Sequence, residues 1–407
     1  MKILFLTLLD FKSFSEYNIY CDLLREFQKN GHEVFCVSPV ERRTGIKTHL
    51  IENGRLLKLR IGNTQKTNII EKGISTVLIE SQFKSAIRKY WSNMHFDLVL
   101  YSTPPITFEK VVRYIRKRDN AKSYLLLKDI FPQNAVDLGM LQTTGVKSII
   151  YKYFRKKEKK LYAISDRIGC MSQANVDYVL KHNTEIPKAK VEVCPNSIEV
   201  RVFRLTEDER VEMRNKYGIP ADKKVFVYGG NLGKPQGIPF IIECLKTQEQ
   251  NSEAIFLIVG DGTEYGKLEA YFNELQPKNM KLMKRLPKED YDRMIAACDV
   301  GMIFLDHQFT IPNFPSRLLS YMQAGLPVLA CTDTATDIGK VILDGEFGWW
   351  CESEDSNCFA LVINKILSEN DYENCLQKSF IYLNSHYNIN FCYEKILGSV
   401  YENSPNK

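Results

Sequence analysis

The sequence predicts an α/β protein built as two doubly wound lobes that face a central cleft. Short apolar runs alternate with amphipathic stretches along most of the chain, the pattern of parallel strands joined by helices. At 407 residues, the chain is longer than a single hydrophobic core usually organises. Its glycine-rich segments follow directly on apolar runs, where open parallel sheets place their ligand loops.

In the first lobe, residues 2–7 read as a strand, 17–29 as a helix closed by Gly31, and 32–37 as the next strand. Strand, helix and strand recur at 96–101, 105–117 and 122–127, while 41–75 is polar and weakly patterned and yields no element. Residues 149–165 form a helix in which aromatic and aliphatic side chains interleave with lysines and an arginine, and strands at 166–171 and 190–194 close the lobe. Residues 196–218 read as the crossover. The second series has strands at 223–228, 254–259, 280–284, 300–305 and 327–330, with helices at 238–246, 263–275, 288–298 and 316–324.

Composition narrows the class. With 22 Phe and 21 Tyr, the chain carries more apolar surface than a disordered one. Eleven cysteines, an odd number without any CxxC pair, read as reduced, buried small hydrophobes and point to the cytosol. The opening run MKILFLTLLDFK ends its apolar stretch at Asp10 and reads as a buried strand, not a leader. No stretch reaches the roughly 18–20 apolar residues of a membrane span. Residues 1–200 hold 33 Lys and Arg against 20 Asp and Glu, whereas 201–407 hold 22 against 29. The first half is therefore expected to meet something anionic, or merely to have a solvated basic surface. Nucleic acid is not the expected partner, because no recognition motif accompanies the basic half and the second is acidic.

Four segments carry chemistry. GGNLGKPQGI at 229–238 follows a strand, so its backbone N–H groups can approach a phosphate and Lys234 adds a cation. No Ser or Thr follows Lys234, so it is not a P-loop, and a tight turn without ligand reads equally from this motif alone. Gly260, Asp261 and Gly262 follow the next strand in a GxGxxxG spacing that misses the dinucleotide fingerprint by one residue. Pro315, Ser316 and Arg317 open a helix, where unpaired amides favour an anion and a guanidinium can bind phosphate through two bonds. Lys234 and Arg317 together read as a diphosphate clamp. Asp129, just past a first-lobe strand in KDIFPQNAVDLGM, either faces the cleft or caps a helix at 131–138. Asp290-Tyr291-Asp292 has the DxD form of metal-dependent transferases but sits where a helix start favours acids. The six histidines show neither HxxxH nor HExxH spacing, so neither a catalytic metal nor another cofactor is expected.

Taken in order, these residues resemble glycosyltransferase family 4. The resemblance rests on GHEV at 31–34, CPNSIEV at 194–200, GNLGK at 230–234, GDG at 260–262 and ACDVGMIFL at 297–305. DIFP at 129–132 and PSR at 315–317, followed by Tyr321-Met322, Gly325 and Pro327-Val328, are similar to the bacterial surface-polysaccharide branch that includes N-acetylfucosamine transferases. The resemblance implies the GT-B fold. It divides the chain into an acceptor-binding lobe at 1–196, a nucleotide-sugar lobe at 197–385 and a helical tail at 386–407 that returns to the first lobe.

It further implies a retaining, metal-independent transfer from a nucleotide-sugar, UDP-linked and of the N-acetylamino class, to a lipid-linked saccharide at the inner face of a membrane. Lys234 and Arg317 would hold the diphosphate, assisted by Pro315 and Ser316 and by the Gly230–Asn231–Gly233 loop. Gly260, Asp261, Gly262, Arg285 and Leu286 would border the base, and Asp129 would stand near the sugar. The basic helix at 149–165 would meet an anionic membrane surface. The family's Glu–x7–Glu pair is replaced by Pro312 and Ser320, the latter then facing the ribose. Its loop Arg and Lys are replaced by Asn231 and Gln236, and its first Gly-Gly loop by residues 10–17. The lost pair also admits a non-catalytic, partner-binding subunit. A nucleotide-sugar 2-epimerase of the same fold would need carboxylates and histidines that are absent.

Overall fold

A computed structural model describes residues 1–64, 67–146, 148–201, 204–368 and 372–402. The chain forms two compact units, Met1–Glu199 with the stretch from Ile389 onward, and Val200–Asn388.

Among the described residues, the first unit is built on eight strands: β1 (Lys2–Leu6), β2 (Glu33–Glu41), β3 (His49–Ile51), β4 (Leu56–Ile61), β5 (Leu98–Ser102), β6 (Lys122–Leu127), β7 (Arg167–Cys170) and β8 (Val191–Val193). They lie in the order β3-β4-β2-β1-β5-β6-β7-β8, all neighbours parallel except the β3–β4 hairpin. Every residue of β5 is buried, as expected of a parallel sheet covered on both faces. The helix Ile19–Lys29 starts where the Asn18 side chain accepts from the Tyr20 and Cys21 amides, and it ends before Gly31 at φ 79°. Its Leu24 and Phe27 share a core with Ile389, Cys392 and Ile396 from the distant end of the sequence.

The segment 41–75, which gave no reading from sequence, holds the β3–β4 hairpin and the start of a helix, Ile69–Tyr90. That helix eluded periodicity for a physical reason: Ile74, Val77 and Leu78 occupy its solvent face, so its two sides do not contrast.

Among the described residues, the second unit has six parallel strands: β9 (Lys224–Asn231), β10 (Ala254–Asp261), β11 (Met280–Lys284), β12 (Val300–Phe304), β13 (Val328–Thr332) and β14 (Gly348–Glu352). Their order, β11-β10-β9-β12-β13-β14, reverses direction between β9 and β12. That reversal opens a crevice at the strands' carboxyl ends, the usual ligand position of such sheets. Within the expected crossover lies a helix, Glu207–Lys216, opened by a reciprocal capping box between Thr206 and Glu209. Its buried Arg214 donates to Asp299 at 2.8 Å and to the carbonyls of Ala297, Pro220, Ala221 and Lys223, fastening it to the sheet.

Candidate functional site

In the second unit the glycine segment is not a free loop. β9 continues through Gly229, Gly230 and Asn231, which pair with Val259, Gly260 and Asp261 of β10. A methyl group on Gly260 would collide with the Gly230 carbonyl oxygen, so this glycine is needed for the two strand ends to lie together. Beyond the strands, the Leu232 amide donates to the Asp261 carbonyl (3.0 Å) and the Glu264 amide to that of Leu232 (2.9 Å). Asn231 and Gln236, at the positions where the resembled family has cations, bond each other: Asn231 Nδ2 donates to Gln236 Oε1 at 2.8 Å, as does the Gly233 amide at 3.2 Å. This brace sets the short 3-10 turn Lys234–Gln236, from which Lys234 projects into solvent. The following helix, Ile238–Lys246, begins only after Gly237, so Lys234 stands one turn ahead of it.

Arg317 is the first residue of the helix Arg317–Gln323, and Pro315 and Ser316 form the turn before it. The Ser316 side chain makes no cap bond. The guanidinium carbon lies 4.5 Å from the centre of the Tyr228 ring and 3.5 Å from where a Cβ on Gly230 would stand. Gly230 has φ 132°, a conformation that glycine adopts readily and that leaves this space to the arginine. Arg317 Nη1 is buried and, among the described residues, has no hydrogen-bond partner, and Asn313 Nδ2 is in the same state. A buried donor left unmatched is costly, and a guanidinium donor is matched most strongly by an oxyanion.

Sequence reasoning missed the aromatic lining of this place. Tyr321 Oη accepts from the Gly229 amide (3.1 Å) and donates to the Met302 carbonyl (3.1 Å), and Tyr291 packs over Gly229. Tyr291 is the centre of the DxD triplet, so an inward aromatic side chain was the informative part of that motif. Its flanking acids are engaged elsewhere, Asp290 by Lys216 at 3.0 Å and Asp292 by Lys288.

The other expected positions spread along the same edge. Gly262 lies just past β10, and Arg285 and Leu286 follow β11 at the outer edge, Arg285 exposed and Leu286 half-buried. Ser320 is half-buried on the Arg317–Gln323 helix. At the end of β12, and missed from sequence, His307 bonds Glu354 at 2.9 Å. Its neighbour Asp306 donates its amide to the Pro235 carbonyl (3.0 Å), tying this loop to the Lys234 turn.

In the first unit, Asp129 follows β6. The Thr103 hydroxyl grips its backbone, donating to the Asp129 carbonyl and accepting from the Asp129 amide, both at 3.1 Å. Asp129 does not cap a helix at 131–138. The helix there is Gln133–Asp137, preceded by Pro132, and its Asn134 Nδ2 donates to both Asp129 oxygens at 2.7 Å. Burial pushes the Asp129 carboxyl up to about 6, against the opposing pull of Asn134 and the Ile130 amide. Nearby, burial likewise raises the Tyr20 hydroxyl to about 12. After β1, the segment in place of a Gly-Gly loop is held by buried Lys58, which donates to Asp10, to the Phe11 carbonyl (2.8 Å) and to Ser38 Oγ (3.2 Å).

On the first-unit helix Ser148–Ile164, Lys157 pairs with Glu80 (3.2 Å) and Lys159 with Glu185 (3.0 Å). Lys152, Lys156 and Lys160 are exposed, and among the described residues none of these three has an ion-pair partner.

These two sheets and their carboxyl-end loops give the chain the GT-B fold, and residues 209–380 match the family described as glycosyl transferases group 1. That match lies within the second unit. It is 25% identical over 305 residues, 74% of each chain, to a probable glycosyltransferase, WbjE, of Pseudomonas aeruginosa. It is 21% identical over 272 residues, 66% of this chain and 64% of the other, to a putative colanic acid biosynthesis glycosyl transferase, WcaI, of Escherichia coli. Among solved structures, Anabaena HepE in complex with UDP superposes with a TM-score of 0.70 at 15% identity, covering 99% of this chain and 100% of that one. This last likeness is one of fold.

Proposed function

We propose that this chain is a retaining, metal-independent family 4 glycosyltransferase of the cytoplasm. It transfers a sugar, taken here as an N-acetylamino sugar, from a UDP-linked donor to a lipid-linked saccharide in capsule, O-antigen or related surface-polysaccharide synthesis. The buried, unpartnered Arg317 Nη1 beside the carboxyl end of β9 carries this reading. A donor diphosphate supplies an acceptor oxygen for Arg317 Nη1, and Lys234 adds a second, mobile charge. The kinship with WbjE and WcaI and the UDP held by HepE support a nucleotide-sugar donor.

In the reaction, the bond from the anomeric carbon to the diphosphate oxygen breaks. The acceptor oxygen bonds on the same face, and its proton passes to the departing diphosphate. Charge grows on the leaving group, where a fixed guanidinium stabilises the transition state more than the ground state. Asp129, ionised above pH about 6, accepts a hydrogen bond from the transferred sugar. Ser320 bonds the ribose in place of a carboxylate, and Gly260–Gly262 with Arg285 and Leu286 border the base.

Calorimetric titration of UDP and of GDP, without metal, into wild type and Arg317→Ala tests this. UDP is expected to bind the wild type in the micromolar range, with affinity falling about 10- to 100-fold in the variant, as for loss of a charged hydrogen bond. A folded wild type that binds neither nucleotide sinks the donor site. It would leave the second reading, a non-catalytic subunit, which the replacement of two carboxylates by Pro312 and Ser320 favours.

A further inference from the structure

Buried thiols are ordinarily inert, because burial favours the neutral S–H, and burial pushes the thiols of Cys36, Cys170, Cys244 and Cys298 upward. Cys392 departs from this pattern. It lies buried on the returning helix Ile389–Leu397, with its Sγ 3.1 Å from that of Cys194, the residue just past β8. Cys194 is firmly seated: its amide donates to the Cys170 carbonyl at 2.7 Å, and a methyl group on Gly169 would collide with its Cβ. The returning helix is held to the same segment by the Ile389 amide, which donates to the Ile198 carbonyl at 2.9 Å. The two sulfurs therefore meet on fixed backbone, about 1 Å beyond the length of an S–S bond.

The surroundings favour the Cys392 thiolate. A hydrogen bond from the Cys194 thiol draws it down to about 7 against the pull of burial, and the Lys128 cation adds to the effect. Cys194 is raised in turn, as the partner that keeps its proton. Lys128 stands close, its Nζ 3.5 Å from the Cys194 carbonyl oxygen. Cys392 also lines a narrow hollow of ≈ 10 Å³ with Lys128, Tyr20, Asn196 and Ser197, room for about one water-sized molecule. Asn196 has a buried Oδ1 with no hydrogen-bond partner among the described residues. A nucleophilic sulfur, a cation and an unmatched acceptor thus surround a space that admits only a very small hydrogen-bond donor. Cys331 and Cys351 come nearly as close, at 3.2 Å, but they sit opposite each other on β13 and β14, and burial pushes Cys331 well up.

We propose that Cys392 and Cys194 are a peroxide-reactive pair, Cys392 the attacking sulfur and Cys194 the resolving one, whose oxidation ties the returning helix covalently to lobe one. The Cys392 thiolate bonds the nearer oxygen of hydrogen peroxide, the O–O bond breaks, and the outer oxygen leaves as water with a proton from Lys128 that solvent restores. Cys392 is then a sulfenic acid. Cys194 attacks that sulfur, and its own proton departs with the hydroxyl group as a second water. The two sulfurs lose two electrons in all, and the peroxide takes them. The disulfide closes a loop that contains the whole of the second unit in sequence. In a reducing compartment such a bond is a transient response to peroxide and not a permanent staple. This chemistry is independent of the proposed sugar transfer and holds whether or not a nucleotide binds.

The test exposes the reduced full chain to hydrogen peroxide, and separately to oxidised glutathione, and follows it by mass spectrometry of unreduced peptides. Peroxide is expected to remove about 2 Da and to join the peptides of Cys194 and Cys392, a link that dithiothreitol reverses. Oxidised glutathione, too large for the hollow, is expected to react at least about tenfold more slowly. Cys194→Ser is expected to hold Cys392 at the sulfenic acid, which dimedone captures, and Cys392→Ser to abolish both species. Oxidised wild type is expected to unfold about 5–10 °C above the reduced protein. A first link between Cys331 and Cys351, or a first adduct on half-buried Cys358, overturns the assignment. So does a wild type whose methionines oxidise while Cys194 and Cys392 stay unmodified. Equal rates with peroxide and oxidised glutathione overturn the role of the hollow. The decisive readings are made on wild type, so neither variant's folding decides them.

Discussion

Asp129 is a carboxylate whose environment sets both its charge and its aim. Thr103 fixes its backbone, Asn134 holds both oxygens, and burial raises its pKa to about 6. A raised folded-state value means the native protein binds a proton that the unfolded chain has already lost. Stability therefore falls as pH rises from about 4 to about 6, and the acid form is the more comfortable one. Function asks for the opposite. The rate kcat/KM is expected to climb through pH about 6 as the carboxylate ionises. Asp129→Asn is expected to lower it and remove that limb, and Asn134→Ala to move the limb upward, because its hydrogen bonds favour the ionised form. A profile unchanged in both variants would detach Asp129 from the chemistry. Of this cluster the sequence announced the acid, through its place after an apolar run. Thr103 and Asn134 could not be read, since their service depends on how β5 and β6 lie side by side. For Arg317 the helix start was legible. The rings of Tyr228, Tyr291 and Tyr321 were not, coming from three separate elements.

At the scale of elements, the carboxyl ends of β9 and β10 act as a single platform. Gly230 and Gly260 lie opposite each other, and the Leu232 amide closes the strand ends. Replacing Gly260 by Ala is expected to cost about 1–3 kcal/mol, because the new methyl group pushes β10 from the Gly230 carbonyl. Urea unfolding checks the cost. UDP affinity should fall with it, since the displaced carbonyl belongs to the residue that faces Arg317. Strands β9 to β13 were predictable because apolar runs followed by turn residues leave few other readings. β14 was not, for its Gly348-Trp349-Trp350 start is only half-buried. The strand–loop boundary at Gly229 also moved, because glycines that signal a turn in isolation here serve close pairing.

Across the whole molecule, the chain makes lobe one, crosses to make lobe two, and returns at Ile389 to finish lobe one. The returning helix Ile389–Leu397 buries Ile389, Cys392 and Ile396 against the helix Ile19–Lys29, and Tyr393 bonds His32 at 3.0 Å. Each such aliphatic side chain contributes about 1.5–3 kcal/mol. Removing everything from Ile389 onward is expected to speed hydrogen exchange in residues 19–29 and lower the unfolding temperature of lobe one. Lobe two should be left nearly unchanged. Equal loss in both lobes, or in neither, would contradict this division. An amphipathic helix shows that it has a partner but not which one, so the expectation of a returning tail at 386–407 comes from the family resemblance and not from the helix pattern.

The same return sets a timetable on the ribosome. Lobe two's stretch is complete within one uninterrupted run of synthesis, so it can close while later residues are still being made. Lobe one, though begun first, lacks the part of this core that Ile389, Cys392 and Ile396 supply until that segment has left the exit tunnel. At about 5–20 residues per second, the nearly 190 residues between the two lobe-one segments represent about 10–40 s of waiting. The core of lobe one is therefore the last to be completed, although its first strand is the first to be made.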